Sequence, residues 1–154
     1  MNRKNTGFSL IELLTVMAVL GIIATIAVPS YLGQMTNTRR KDGQSALMAL
    51  AQAMERHYTE KNTYASAANG DPTSNVNGVA PMGNVFSSEA PVDSSAKYYD
   101  LRITAATSAS FSLRAIPKNA QAGDGILELN SMGVRRWDKN GDGDTSDGGE
   151  DGWQ

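Results

Sequence analysis

From Phe8 to Leu32 the chain reads FSLIELLTVMAVLGIIATIAVPSYL, a run of 25 residues in which Glu12 is the only charge. As a helix at ~1.5 Å per residue it reaches about 37 Å, enough to cross a hydrocarbon core. An unpaired carboxylate near the centre of a bilayer costs on the order of 3 kcal/mol. Glu12 therefore needs a partner, or a place near an interface where it can snorkel. Arg3 and Lys4 precede the run, and by the positive-inside rule they hold the short N-terminus in the cytoplasm. A cleavable secretory signal is the competing reading. Its apolar core is normally ~7–15 residues, and AVPSYLG is a poor cleavage site. Gly21 weakens the helix locally, and Pro29 is expected to kink or loosen it.

Beyond the run the pattern changes. In RRKDGQSALMALAQAMERHY, Leu47, Leu50, Ala51, Met54 and Tyr58 recur on one helical stripe, with Gln44, Gln52, Glu55 and Arg56 off it. One long helix is predicted, apolar all round in its first half and one-faced in its second. The residues divide as 1–7, a basic leader; 8–32, a membrane-spanning helix; and 33–154, a head with a modest core. The chain has no cysteine, so no disulfide stabilises that head.

Residues 61–97 are rich in Asn, Ser, Gly, Ala and Pro and read as a long αβ loop with one short helical turn. Strands follow over 98–137. YYDLRITA places Tyr99, Leu101 and Ile103 on one face, and SFSLRAIP does the same for Phe111, Leu113 and Ala115. GILELN and GVRRWD follow, separated by an NSMG turn. The fold class is α+β: a long N-terminal helix packed on an antiparallel sheet of about four strands, one face buried.

The last segment, 138–154, is a concentrated charge. Asp138, Asp142, Asp144, Asp147, Glu150 and Asp151 face Lys139 alone, in a chain whose net charge is only −2. Asp138, Asn140, Asp142 and the Gly143 that follows have the D-x-N-x-D-G opening of a calcium loop, where alternate oxygens suit a hard cation. The twelfth position is Gly149 rather than Glu, and Glu150 falls one later, so this is no EF-hand proper. The candidate Ca2+ ligands are Asp138, Asn140, Asp142 and Asp144, with Asp147 or Glu150 completing the shell. The alternative is a solvated acidic tail. Arg39, Arg40 and Lys41 form a basic cluster suited to anionic head groups or to a neighbour's carboxylates. Arg102, Arg114, Lys118, Arg135 and Arg136 fall in the strand region. On one exposed face they would bind DNA phosphates; scattered, they are solvated strand positions. His57 is the only histidine, and with no Cys it builds no zinc site. No nucleophile elbow or P-loop spacing is present, and the chain reads as a non-enzyme.

The stretch GFSLIEL from Gly7, with the basic leader, the apolar run and Pro29, resembles the N-terminal signal of the type IV pilin superfamily. RRKDGQSALMALAQAMERHYTEKNTYA, YYDLRI and FSLRAIPKNAQAGDGILELNSMGVRRWD are similar to PilE-like minor pilins. The resemblance implies a prepilin peptidase that cuts between Gly7 and Phe8 and methylates Phe8. It implies that Glu12 neutralises the Phe8 amine of a neighbouring subunit and sets the axial stagger of packed helices. It further implies an inner-membrane precursor and an extracellular filament of pilin subunits serving adhesion, twitching motility or DNA uptake. A DNA-receptor pilin and a calcium-binding pseudopilin of type II secretion are the alternatives. Such pilins commonly close the C-terminal region with a disulfide; a metal clip would take its place here.

Overall fold

The structure is a computed structural model and describes residues 8–153. Helix α1 (Leu10–Lys61) is followed by strands β1 (Glu89–Ala90), β2 (Tyr99–Ala106), β3 (Phe111–Pro117), β4 (Leu127–Asn130) and β5 (Arg135–Trp137). The chain divides into two units between Asn37 and Thr38, five residues beyond the boundary expected from the end of the apolar run. Pro29 stays within α1. It forfeits one bond to the carbonyl four residues earlier, and the helical assignment continues on both sides.

In the first unit the large apolar side chains from Phe8 to Leu32 are all exposed, from 49% at Val19 to 89% at Phe8. Its threonine hydroxyls are tied inward: Thr15 Oγ1 donates to the Ile11 carbonyl, Thr25 Oγ1 to that of Ile22 and Thr36 Oγ1 to that of Leu32. The most apolar window of α1 has a mean hydropathy of 2.4 with none of it buried, and by length and composition the helix can cross a membrane.

In the second unit the buried stripe of α1 is Gly43, Ala46, Leu47, Leu50, Ala53 and Met54. Spacings of three and four keep it on one face. Gly43 and Ala46 extend the stripe a turn and more N-terminal to the expected one, while Ala51 and Tyr58 lie at its margin. Small residues are needed there: a Cβ on Gly43 would lie 2.9 Å from the Tyr99 ring. The stripe packs with Tyr99, Leu101 and Ile103 of β2, Phe111, Leu113 and Ala115 of β3, and Leu127 and Leu129 of β4, which are the alternate residues that pleating sends to one side.

The sheet is an antiparallel meander in the order β1-β2-β3-β4-β5. It has five strands rather than the four expected. The additional one, β1, pairs through Glu89 with Asp100 and Ala90 with Tyr99, and two residues are too few to show a period. The preceding loop contains two 3-10 turns, Ala65–Ala67 and Pro72–Ser74. It lies over β2 through paired bonds between Val79 and Ile103. Gly78 has φ +72° and sits against the Ile103 carbonyl where a side chain would collide.

Leu50→Ala removes a fully buried side chain from the helix–sheet seam and is expected to cost ~2–5 kcal/mol in urea denaturation. Met48→Ala, on the exposed side of the same helix, should cost less than ~1 kcal/mol.

Candidate functional sites

Gly7 lies outside the described residues. Phe8, two residues before α1, is the most exposed large apolar residue of the apolar run. The helix then starts on Ser9-Leu10-Ile11-Glu12, the S-x-x-E pattern of a capping box. The Ser9 N–H donates to Glu12 Oε2 at 2.9 Å, which satisfies one orphan donor of the first turn. So within one chain Glu12 already has a local partner, legible in the sequence as that four-residue motif and missed by reasoning about lipid alone. The bond occupies one oxygen of an exposed carboxylate and leaves the remainder for a neighbour.

The acidic C-terminal loop is held in place by hydrogen bonds of its own. Asp138 is buried, and its two oxygens accept the N–H groups of Gly141 at 2.6 Å and Gly143 at 3.1 Å. Glu150, also buried, accepts those of Lys139 and Asp147, each at 3.2 Å. These two carboxylates therefore cap the loop's own backbone. Asp142, Asp144 and Asp147 are exposed, and one oxygen of each lies within 4.8 Å of the others. Asn140 stands among them, its Nδ2 donating to Asp142 and Asp147. The amide and hydroxyl of Ser146 hold the Asp144 carboxyl below its ordinary range. Three like charges this close repel, and an all-oxygen set suits Ca2+ chemically.

The loop ends are fixed without a disulfide. Trp153 Nε1 donates to the carbonyls of Glu128 and Arg136, and Gln44 of α1 donates to the Trp153 carbonyl. Asp138 N–H bonds to the Ile126 carbonyl. Gly125, φ +83°, lets the chain approach so closely that any Cβ would overlap the Asp138 carbonyl oxygen.

The strand-region cations do not form one free patch. Arg102, Arg114, Glu128 and Arg136 are cross-strand neighbours in a single row over β2 to β5. Each cation already faces an acid: Arg102 with Asp100 at 3.4 Å, Arg114 with Glu128 at 3.3 Å, Arg136 with Asp151 at 3.8 Å. Lys118, beside Asp100 at 2.7 Å and Glu89, is held more firmly protonated by both. Arg135 alternates to the other face, lying over the Trp153 ring.

The basic cluster past the apolar run is also largely consumed within the head. Arg39 donates to the Ala120 carbonyl and lies over Tyr98. Arg40 forms a paired contact with Asp124 and stacks on Trp137 at 3.9 Å. Asp124 also accepts from Tyr99 Oη at 3.1 Å and Gln121 Nε2 at 2.7 Å, and its carbonyl accepts Trp137 Nε1 at 2.7 Å. This node joins α1, β2, the turn before β4, and β5. Nothing local in the sequence marks it, because Arg40 and Asp124 are 84 residues apart.

A helix that is bare and apolar at its start and clad by an antiparallel meander towards its end defines the class, a type IV pilin fold. The crystal structure of the Neisseria meningitidis non-core minor pilin PilV shares it: the match covers 79% of this chain and 98% of that one at a TM-score of 0.50 and 19% identity. Residues 2–28 match the prokaryotic N-terminal methylation motif. The chain belongs to the family described as type IV minor pilin ComP, DNA uptake sequence receptor, whose profile matches residues 29–126. Among curated relatives, the type IV major pilin protein PilA of Myxococcus xanthus (strain DK1622) is 37% identical over 68 residues, 44% of this chain and 31% of that protein. The type II secretion system core protein G of Aeromonas hydrophila is 30% identical over 68 residues, 44% of this chain and 48% of that protein. The matched stretch thus spans under a third of the first relative and about half of the second.

Burial, with the Asp124 charge beside it, pushes the Tyr99 hydroxyl well above its ordinary value of 10.0. A raised folded-state value favours the native state below the unfolded pKa, and that contribution is lost as pH rises past ~10 towards the folded value. Stability of the head is therefore expected to fall steeply above pH ~10. Tyr99→Phe should flatten that slope in pH-dependent denaturation while lowering stability near neutrality by ~1–2 kcal/mol.

Proposed function

We propose that this chain is a minor subunit of a type IV pilus, held first as a single-pass precursor in the inner membrane and then drawn into an extracellular filament. The observation that carries this reading is the apolar surface from Phe8 to Leu32, interrupted by one charge, Glu12, exposed all round a helix and overlapped by the methylation motif at residues 2–28. Such a surface requires lipid or other helices around it. Cleavage by a prepilin peptidase between Gly7 and Phe8 frees an amine, and methylation follows on Phe8. Glu12, four residues on, pairs with the Phe8 amine of a neighbour. Desolvation offsets much of the attraction, so the pair acts chiefly as a register device for packed helices. Family membership supports a structural role rather than catalysis. Adhesion and twitching motility are the mechanical tasks such a filament serves.

A second reading, DNA reception during uptake, is favoured by the family description itself. The row Arg102, Arg114 and Arg136, with Lys118 at its margin and Arg135 behind it, is its sheet-borne candidate surface. A third concerns the acidic loop, which we propose takes up Ca2+ through Asp142, Asp144 and Asp147 with Asn140 beside them. Asp138 and Glu150 hold the loop's shape. The type II secretion relatives make a pseudopilin the alternative setting for such a loop.

Glu12→Ala is expected to leave cleavage between Gly7 and Phe8 intact by mass spectrometry while reducing incorporation into sheared filaments at least tenfold, on the order of the ~3–5 kcal/mol lost when one member of a buried pair is removed. Unchanged incorporation would refute the register role. For the cation, melting the full chain with Ca2+ at about a hundredfold excess over its Kd should raise Tm by on the order of 10 °C relative to chelator. Asp142→Ala should abolish the difference, and no shift in the parent would dispose of the Ca2+ site.

A further inference from the structure

The chain's one histidine lines a small polar cup, about 180 Å³, where the last turns of α1 meet the turn at residues 82–86. Arg56, His57, Glu60 and Lys61 come from the helix, and Asn84 comes from the turn. Helical spacing pairs 56 with 60 and 57 with 60 and 61, since residues three and four apart share a side, and Arg56 and Lys61 reach the cup from either side of that stripe. The turn is fixed by the Val85 and Phe86 N–H groups, both bonded to the Met82 carbonyl. His57 is oriented by Ser66, its Nε2 lying 2.8 Å from Ser66 Oγ.

The cations here differ in circumstance from those of the sheet. Arg40, Arg102, Arg114, Lys118 and Arg136 each face a carboxylate of the head, and Lys97 is spent on the Pro91 and Val92 carbonyls. To bind an anion they must give up or share a partner. Arg56 and Lys61, both exposed, have no carboxylate, carbonyl or ring partner among the described residues. Their charge is available at no such cost. They line the cup with an imidazole N–H and an amide, both able to donate. Against them stands one acid, Glu60.

We propose that this cup binds a phosphate group and, resting on the DNA-receptor reading, that it engages the backbone of duplex DNA in place of the acid-paired sheet row. Arg56 supplies a planar fork for two phosphate oxygens and Lys61 a point charge. His57 and Asn84 donate to the remaining oxygens. Glu60 opposes binding and keeps the empty cup from excess positive charge.

A single histidine gives a single resonance, so the full chain in an uncharged detergent, labelled at histidine, reports on the cup directly. Duplex DNA is expected to shift the His57 signal. Arg56→Ala with Lys61→Ala should weaken duplex binding at least tenfold at moderate salt and lower the slope of log affinity against log salt by about two. Glu60→Gln should tighten binding. A double variant that keeps the parental affinity and slope would overturn the proposal. If the parent binds no duplex, the DNA-receptor reading falls and inorganic phosphate decides for the cup. A saturable His57 shift, absent from the double variant, upholds a phosphate site; no shift with phosphate overturns it.

Discussion

The seam between α1 and the sheet is the contact on which the head depends. A helix offers a core only one stripe, and here the stripe must be narrow near Tyr99 and broad near the sheet centre. Gly43 and Ala46 supply the first, Leu47, Leu50 and Met54 the second. Because the same helix carries the apolar half that serves another environment, the stripe cannot be widened by making the helix greasy all round. The sheet compensates by committing alternate residues of three strands to that side. Fixing α1 against β2 also fixes where Arg40 falls, and so where Asp124 and the turn before β4 can close.

Cationic charge on the outer sheet is arranged as matched pairs rather than as a patch. The row across the outer sheet alternates in role, with Glu128 between Arg114 and Arg136 and also bonded to Thr145 of the acidic loop. Glu128 thus couples the sheet's cations to the most acidic part of the chain. The pairs at the ends of the row, more open to solvent than Arg114–Glu128, contribute little to stability. Their consequence is electrostatic: they cancel much of the field that five basic residues would otherwise project. The largely covered Arg40–Asp124 pair is different, since removing either partner leaves a poorly compensated charge among Tyr99, Gln121 and Trp137.

Periodicity carried most of the fold. The alternations at Tyr99–Ile103 and Phe111–Ala115 and the Leu47–Met54 stripe are properties of neighbouring residues, and the structure places them as the pattern requires. The strand at Glu89–Ala90 escaped because pairing with Asp100 and Tyr99 is a long-range event over two residues. Sites were less legible. Composition placed the acidic loop but not the division of labour within it, for whether a carboxylate caps backbone, as Asp138 does, or faces its fellows, as Asp142 does, depends on loop closure. Arg39 and Arg40 looked like a surface cluster in one dimension, yet their partners Ala120 and Asp124 lie more than 80 residues away.

Both tryptophans of the chain flank the acidic loop. Trp137 leads into it under Arg40, and Trp153 closes it under Arg135. Each indole is anchored by its N–H to a backbone carbonyl and lies beneath a guanidinium. The molecule's entire indole emission therefore originates at the hinge points of one segment. Any ion, neighbour or tension that loosens that segment changes the colour and polarisation of the light it gives off, so the head carries its own optical gauge of how firmly its C-terminal end is fastened.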